Sequence, residues 1–315
     1  MAIPQELLDT ICATLDTSDL CAAAPVNSAF YHATQRELYR HIALDSRNIA
    51  AVFTLARNPR LARHVRSCTI RLSSSSGLLR SFYRVLATAI SNMSGLSSLE
   101  LFADQAASWV LHNDQSYPRL KRLVCSFNLD HNVTRFLNNS DAINELEIDS
   151  LPVSETTTFD LRDDALSHLS QFTGSAQAAQ VVVPGRPVEH IHLNSGDLTE
   201  EVAVNLAKST LPVLVLGAAT SSHSVSLIGT LTQCMERLVH LRIVTTYNFT
   251  DAPDTVSPIS PISSPSAPFS HDIPPDLFRQ HCRRSNVASR FAKLRDLGAA
   301  LDIIQKELPR RSFQF

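Results

Sequence analysis

The chain is short of charge: Asp, Glu, Lys and Arg make up 18% of its 315 residues and sum to a net charge of -2. An average globular protein carries about a quarter. Without a long-range field of either sign, neither nucleic acid nor an anionic membrane is an expected partner. No run of about 18 apolar residues occurs, so no spanning helix is expected. Met1 to Leu20 carries Glu6, Asp9, Asp16 and Asp19 where a signal peptide would have a basic start and an apolar run, so secretion is not expected. The six cysteines, Cys12, Cys21, Cys68, Cys125, Cys234 and Cys282, form no CxxC pair. They read as reduced, buried thiols of a cytoplasmic or nuclear protein rather than disulfides or metal ligands. Sequons at Asn92, Asn132, Asn138 and Asn248 carry no weight without an export signal. GxSxG, P-loop, GxGxxG and HExxH patterns are all missing, so no catalytic role, cofactor or metal is expected.

What is present is a near-average apolar share of 44% and a length that suggests about two domains with a sizeable core. Ile3, Leu7, Leu8, Ile11 and Leu15 recur at three- and four-residue steps, which predicts an amphipathic helix begun by Pro4. Asp16 to Asp19 breaks it. Ser18 or Asp19 is expected to cap a second helix with Leu20, Cys21, Ala24 and Val26 on its apolar side, interrupted by Pro25. A third helical stretch runs from Ala33 to Tyr39 into Leu38-Tyr39-Arg40-His41-Ile42. So small a unit is marginal alone, which implies a partner surface.

These residues resemble the F-box family in its fungal form, where the box opens a repeat protein. The shared features are Ile3-Pro4-x-Glu6-Leu7-Leu8, Ile11, Leu15, Asp19-Leu20, Val26-Asn27-Ser28-x-Phe30 and the Leu-Tyr-Arg-His-Ile close. The resemblance implies docking onto a Skp-type adaptor, and through it a cullin, by Ile3, Pro4, Leu7, Leu8, Ile11, Leu15, Leu20 and Val26. The sequence departs from the family at Ala22-Ala23-Ala24, where larger aliphatics are common, and at Pro25. The alternative is a small helical cap over the end of a repeat array.

Further on, the pattern apolar-x-x-apolar-x-apolar returns at Val65, Leu96, Leu120, Ile143, Val188, Leu211 and Leu238, with a weaker copy at Leu166-Leu169-Phe172. Intervals mostly between 22 and 27 residues are those of leucine-rich repeats. Two apolar residues spaced by two point to the same side of a strand, so the pattern predicts stacked parallel strands with helices such as Leu78 to Ile90 and Val225 to Met235 outside. The expected fold is α/β: a three-helix F-box (1–45), then a leucine-rich-repeat solenoid of about eight degenerate units (46–250), a curved parallel sheet with outer helices. The family's asparagine after the strand stands only at Asn128.

Outward strand positions are the candidate substrate surface: Glu100 and Phe102; Arg122; Glu145, Glu147 and Asp149; His190 and His192; Val213 and Val215; His240 and Arg242. A carboxylate cluster in one unit and a His/Arg region farther on suit a protein partner held by paired charges. His190-x-His192 lacks a third metal ligand, and carboxylates on an open sheet stay solvated, which disfavours acid/base chemistry. Residues 251–275, with Ser-Pro steps at Ser257, Ser260 and Ser264, are expected to be a disordered linker open to proline-directed phosphorylation. Leu277, Phe278, Phe291, Leu294, Leu297, Leu301 and Ile304 return to helical spacing and predict a C-terminal helical segment (276–315), with a final strand unit as the alternative. The resulting expectation is a non-catalytic substrate-recognition subunit of a Skp-cullin-F-box ubiquitin ligase, a monomer within a larger complex. The alternative is a repeat scaffold without a ligase.

Overall fold

The computed structural model describes residues 3–72, 78–111, 115–148, 161–221 and 225–245. The chain divides into two units, Met1–Ala252 and Pro253–Phe315. The linker and C-terminal helix expected over 251–315 lie outside the described residues, as does Asp149.

The N-terminal stripe folds as expected into α1 (Gln5–Cys12), with Pro4 at its N-cap. The second helix, α2 (Thr17–Ala23), is capped neither by Ser18 nor by Asp19 but by Asp16, whose carboxylate accepts from the Asp19 backbone N–H at 2.8 Å. Asp16 reaches forward to the third residue of the helix, the usual N-cap geometry. Pro25 lies past the end of α2, so it interrupts no helical hydrogen bond, contrary to the sequence expectation. Helix α3 (Ser28–Leu38) starts at Asn27, whose side chain accepts from Phe30 N–H at 2.9 Å. The three helices enclose a core of their own: Leu8, Cys12, Leu20 and Ala33, flanked by Leu15, Ala29, Phe30 and Leu38.

After α3 the chain becomes a ladder. Its rungs are β1 (His41–Asp45), β2 (Ser67–Arg71), β3 (Ser98–Phe102), β4 (Arg122–Cys125), β5 (Glu145–Ile148), β6 (Gln171–Ser175), β7 (His190–Asp197), β8 (Val215–Thr220) and β9 (His240–Thr245). They form one open nine-stranded sheet in strict chain order, every neighbouring pair parallel. Parallel neighbours need a crossover. Here the crossovers contain α4 (Ala50–Arg57) and α5 (Pro59–Ala62), α6 (Arg80–Asn92), a 3-10 helix (Gln105–Leu111), α7 (His131–Asn138), α8 (Ala176–Val182), α9 (Glu200–Leu206) and α10 (Val225–Cys234). Helices α6 and α10 fall where the sequence placed outer helices. Among the described residues no helix is long and apolar enough to cross a membrane.

The core between sheet and helices follows from the period of two. Ile42, Cys68, Leu99, Leu123, Leu146, Phe172, Ile191, Leu216 and Leu241 pair successively in register as one inward row. All except Ile42 and Leu241, on the two edge strands, are fully buried. Burial pushes the Cys68 thiol up to about 12, so it stays protonated. Of the described cysteines, Cys21 departs from the buried expectation and is exposed on α2.

The register corrects two repeat frames and adds a unit. In β6 the inward residues are Phe172 and Gly174, so the unit starts at Leu169 rather than Leu166. Leu166 belongs to the preceding turn, with a positive φ of 62° and a fully buried side chain. Val213, just ahead of β8, and Leu216 and Ala218 within it are buried while Leu211 is exposed. Val213 is therefore core at 3% exposure, not the outward residue the sequence suggested. Tyr39-Ile42-Leu44 carries the same spacing and opens the first rung, inside the stretch assigned to the helical box.

Candidate functional site

Two surfaces stand out, and each follows from a helix or strand that fills its core with one side and leaves the other bare. On the N-terminal helices, Ile3, Leu7, Ile11 and Val26 are 51%, 55%, 43% and 64% exposed. Pro4 is exposed beside them, and Leu15 is half-buried. Leu8 and Leu20, expected to touch a partner, are 2% and 4% exposed and fill the unit's own core, which removes them from any docking face. What is left exposed is Ile3 just ahead of α1, Leu7 and Ile11 on it, and Val26 past the end of α2.

The second surface is the outward face of the sheet, arranged in rows that the register keeps straight. The first row reads His41, Ser67, Ser98, Arg122, Glu145, Gln171, His190, Val215, His240; the second reads Ala43, Thr69, Glu100, Val124, Glu147, Thr173, His192, Gly217, Arg242. Over β2–β5 charges of both signs interleave, two arginines, Arg71 and Arg122, among three carboxylates, Glu100, Glu145 and Glu147. Arg122 Nη1 donates to Glu100 Oε1 at 2.8 Å, and its Nε lies 3.3 Å from Glu145 Oε2. Arg71 stands 3.8 Å from Glu100 and 5.5 Å over the Phe102 ring. Val124, though outward, is 3% exposed between these side chains. Such half-exposed pairs contribute about 0–1 kcal/mol each, so their effect is mainly to balance the face.

Over β6–β9 the face changes character. Neither outward row holds a carboxylate there: the residues are Gln171, Thr173, His190, His192, Val215, Gly217, His240 and Arg242. Among the described residues, no hydrogen bond or ion pair is made by the side chains of His190, His192, His240 or Arg242. The His192 ring is laid against Gly217, where an added Cβ would come within 2.8 Å of Nδ1. That contact partly desolvates the ring and lowers its pKa below 6.5, and His190, Arg242 and His240 lower it further by repulsion. Among the described residues no three His, Cys, Asp or Glu side chains are placed to hold a metal ion.

A polar cavity of about 200 Å³ lies where the helices meet the approach to β2, lined by Asp9, Arg36, Glu37, Arg40, His64 and Arg66. Its charges are largely satisfied: Arg36 pairs with Asp9 at 2.5 Å, Arg40 with Glu37 at 3.3 Å, and Arg66 donates to the Gly95 carbonyl at 2.8 Å.

Sequence reasoning placed Glu100, Phe102, Arg122, Glu145, Glu147, His190, His192, Val215, His240 and Arg242 at outward positions, and the register agrees. It missed Arg71, which shares Glu100 with Arg122, and the neutral stretch Gln171 and Thr173 that separates the two zones. Arg71 was findable as the residue after Ile70 in a recognised repeat.

No family model and no curated protein matches this chain. Among solved structures, the tropomodulin C-terminal domain of Caenorhabditis elegans is similar at 10% identity and a TM-score of 0.19, over 70% of this chain and 92% of that one. A likeness at that level carries no argument.

Proposed function

We propose that the chain is the substrate-recruiting subunit of a Skp-cullin-F-box ubiquitin ligase. In this reading the N-terminal helices are a divergent F-box that docks a Skp-type adaptor and, through it, a cullin. The stacked strands are degenerate leucine-rich repeats whose outward face holds a protein substrate. The chain supplies no catalytic group; it raises the local concentration of substrate lysines near a ubiquitin-charged enzyme.

The observation that carries the proposal is the four aliphatic side chains Ile3, Leu7, Ile11 and Val26, exposed on a helical unit whose interior is already filled. Each such aliphatic gains on the order of 1 kcal/mol when a partner finishes burying it. The same positions match the F-box pattern. A helical cap would share its apolar core with the first strand, but here the helical cluster is separate from the sheet's, and a polar cavity lies at the junction.

The test is co-purification of the full chain with a Skp-type adaptor. The wild type is expected to retain the adaptor, and Leu7→Asp plus Ile11→Asp to release it with an unchanged circular dichroism melt. A wild type that ignores the adaptor, or a double variant that keeps it, overturns the proposal.

A further inference from the structure

We propose that the outward face of β7–β9 docks an acidic, extended segment of the partner protein, with carboxylates seated at the His190/His192 and His240/Arg242 ends and an aliphatic side chain on Val215 between them. The inference rests on the reading of this face as the surface that holds a protein.

Charge complementarity is the first argument. On β2–β5 the arginines are paired with carboxylates, whereas the outward rows of β6–β9 carry one permanent cation and three imidazoles without a carboxylate among them. The titratable groups around the patch are few. On β7 they are His190 and His192, with Glu189 just before the strand and Asp197 beyond its bulge, where Asp197 accepts from the Ser221 hydroxyl. On β9 they are His240 and Arg242; β8 and β6 present none in the two rows, and Glu145 and Glu147 stand two strands away from His190 and His192.

Geometry supplies the second argument. His190 and His240 flank Val215 in one row, two strand spacings apart, which is roughly 10 Å at about 4.8 Å per spacing. An extended chain covers that distance in about three residues. Only alternate residues of such a segment face the sheet, so a segment crossing the strands slightly aslant seats carboxylates at i and i+4, about 13 Å apart, on either side of an aliphatic at i+2 over Val215. Nucleic acid fits less well, because phosphate binding relies on several Lys or Arg and the patch holds only Arg242.

A random peptide library selected on the full chain tests the inference. Enriched peptides are expected to carry two Asp or Glu four residues apart with Leu, Ile or Val midway between them. An enriched peptide is expected to bind on the order of tenfold more weakly to Arg242→Gln, which removes the permanent cation of the patch. The variant His192→Glu plus Arg242→Glu, both on the solvent side of the sheet, is expected to lose these peptides. No enrichment, enrichment without acidic bias, equal binding by the charge-reversed variant, or preference for an RNA oligonucleotide overturns it. Adaptor co-purification on the same preparation separates the two readings. Adaptor retained without acidic selection sinks only the docking inference; acidic selection without adaptor sinks only the ligase assignment.

Discussion

Arg186 shows how much a single residue decides in a sheet built from short connectors. It is 5% exposed and meets only backbone carbonyls: Nε donates to Ala165 at 2.9 Å, Nη2 to Arg162 at 2.8 Å, and Nη1 to Val182 at 2.9 Å, with Val181 and Pro184 at 3.3 Å. Burial lowers its pKa, yet an arginine stays charged, so the guanidinium ties the turn before β6 to the last carbonyls of α8, where a cation is favoured. Replacing it leaves several buried acceptors unpaired. Arg186→Met is expected to lower stability by about 2–4 kcal/mol in urea unfolding, and Arg186→Lys to recover only part, since one ammonium cannot reach both sets of carbonyls. A full recovery by lysine would show that charge alone, not the fork of donors, holds this junction.

Elements make the difference between a residue that docks and one that supports. On α1, Leu7 and Leu8 are adjacent in sequence, but 55% and 2% exposed. Leu8→Asp buries an unpaired carboxylate and is expected to unfold the three helices, while the separate sheet core persists. Hydrogen exchange should then show lost protection over residues 5–38 and retained protection over β2–β8; loss across both would mean that the two cores fold as one. This contrast also marks how far the sequence could be read. The stripe Ile3-Leu7-Leu8-Ile11 announces a helix, but period alone does not say which edge of the stripe a neighbouring helix covers. Six strands were legible in the right frame because paired Leu, Ile, Val and Cys at fixed spacing report a buried face. The frames failed at β6 and β8, where Gly174 and Ala218 occupy inward positions and nearby Leu166 and Leu211 mimic the pattern better than the true residues do. The first rung hid because Tyr39-Ile42-Leu44 coincides with the end of the F-box-like motif.

For the molecule as a whole, two histidines set the direction of its response to acid. His64 has a lowered pKa because of burial first, then Arg36, Arg66 and His32; His192 is lowered likewise. A histidine whose folded pKa is lowered binds fewer protons folded than unfolded, so its stabilisation is complete above the unfolded value of about 6.5. It falls as pH drops through the interval down to the folded pKa and is level below that. The urea midpoint is therefore expected to decrease between about pH 7.5 and pH 5, less steeply in His64→Gln. A midpoint rising toward acid would reverse the assignment of His64 as a group that resists protonation.

The straight rows of the sheet have one more implication. Because inward and outward side chains alternate on every rung, the exposed alphabet can be rewritten rung by rung while the buried one is left alone. Descendants of such a chain are free to trade one captive for another through a handful of surface substitutions, with the scaffold that displays them unchanged.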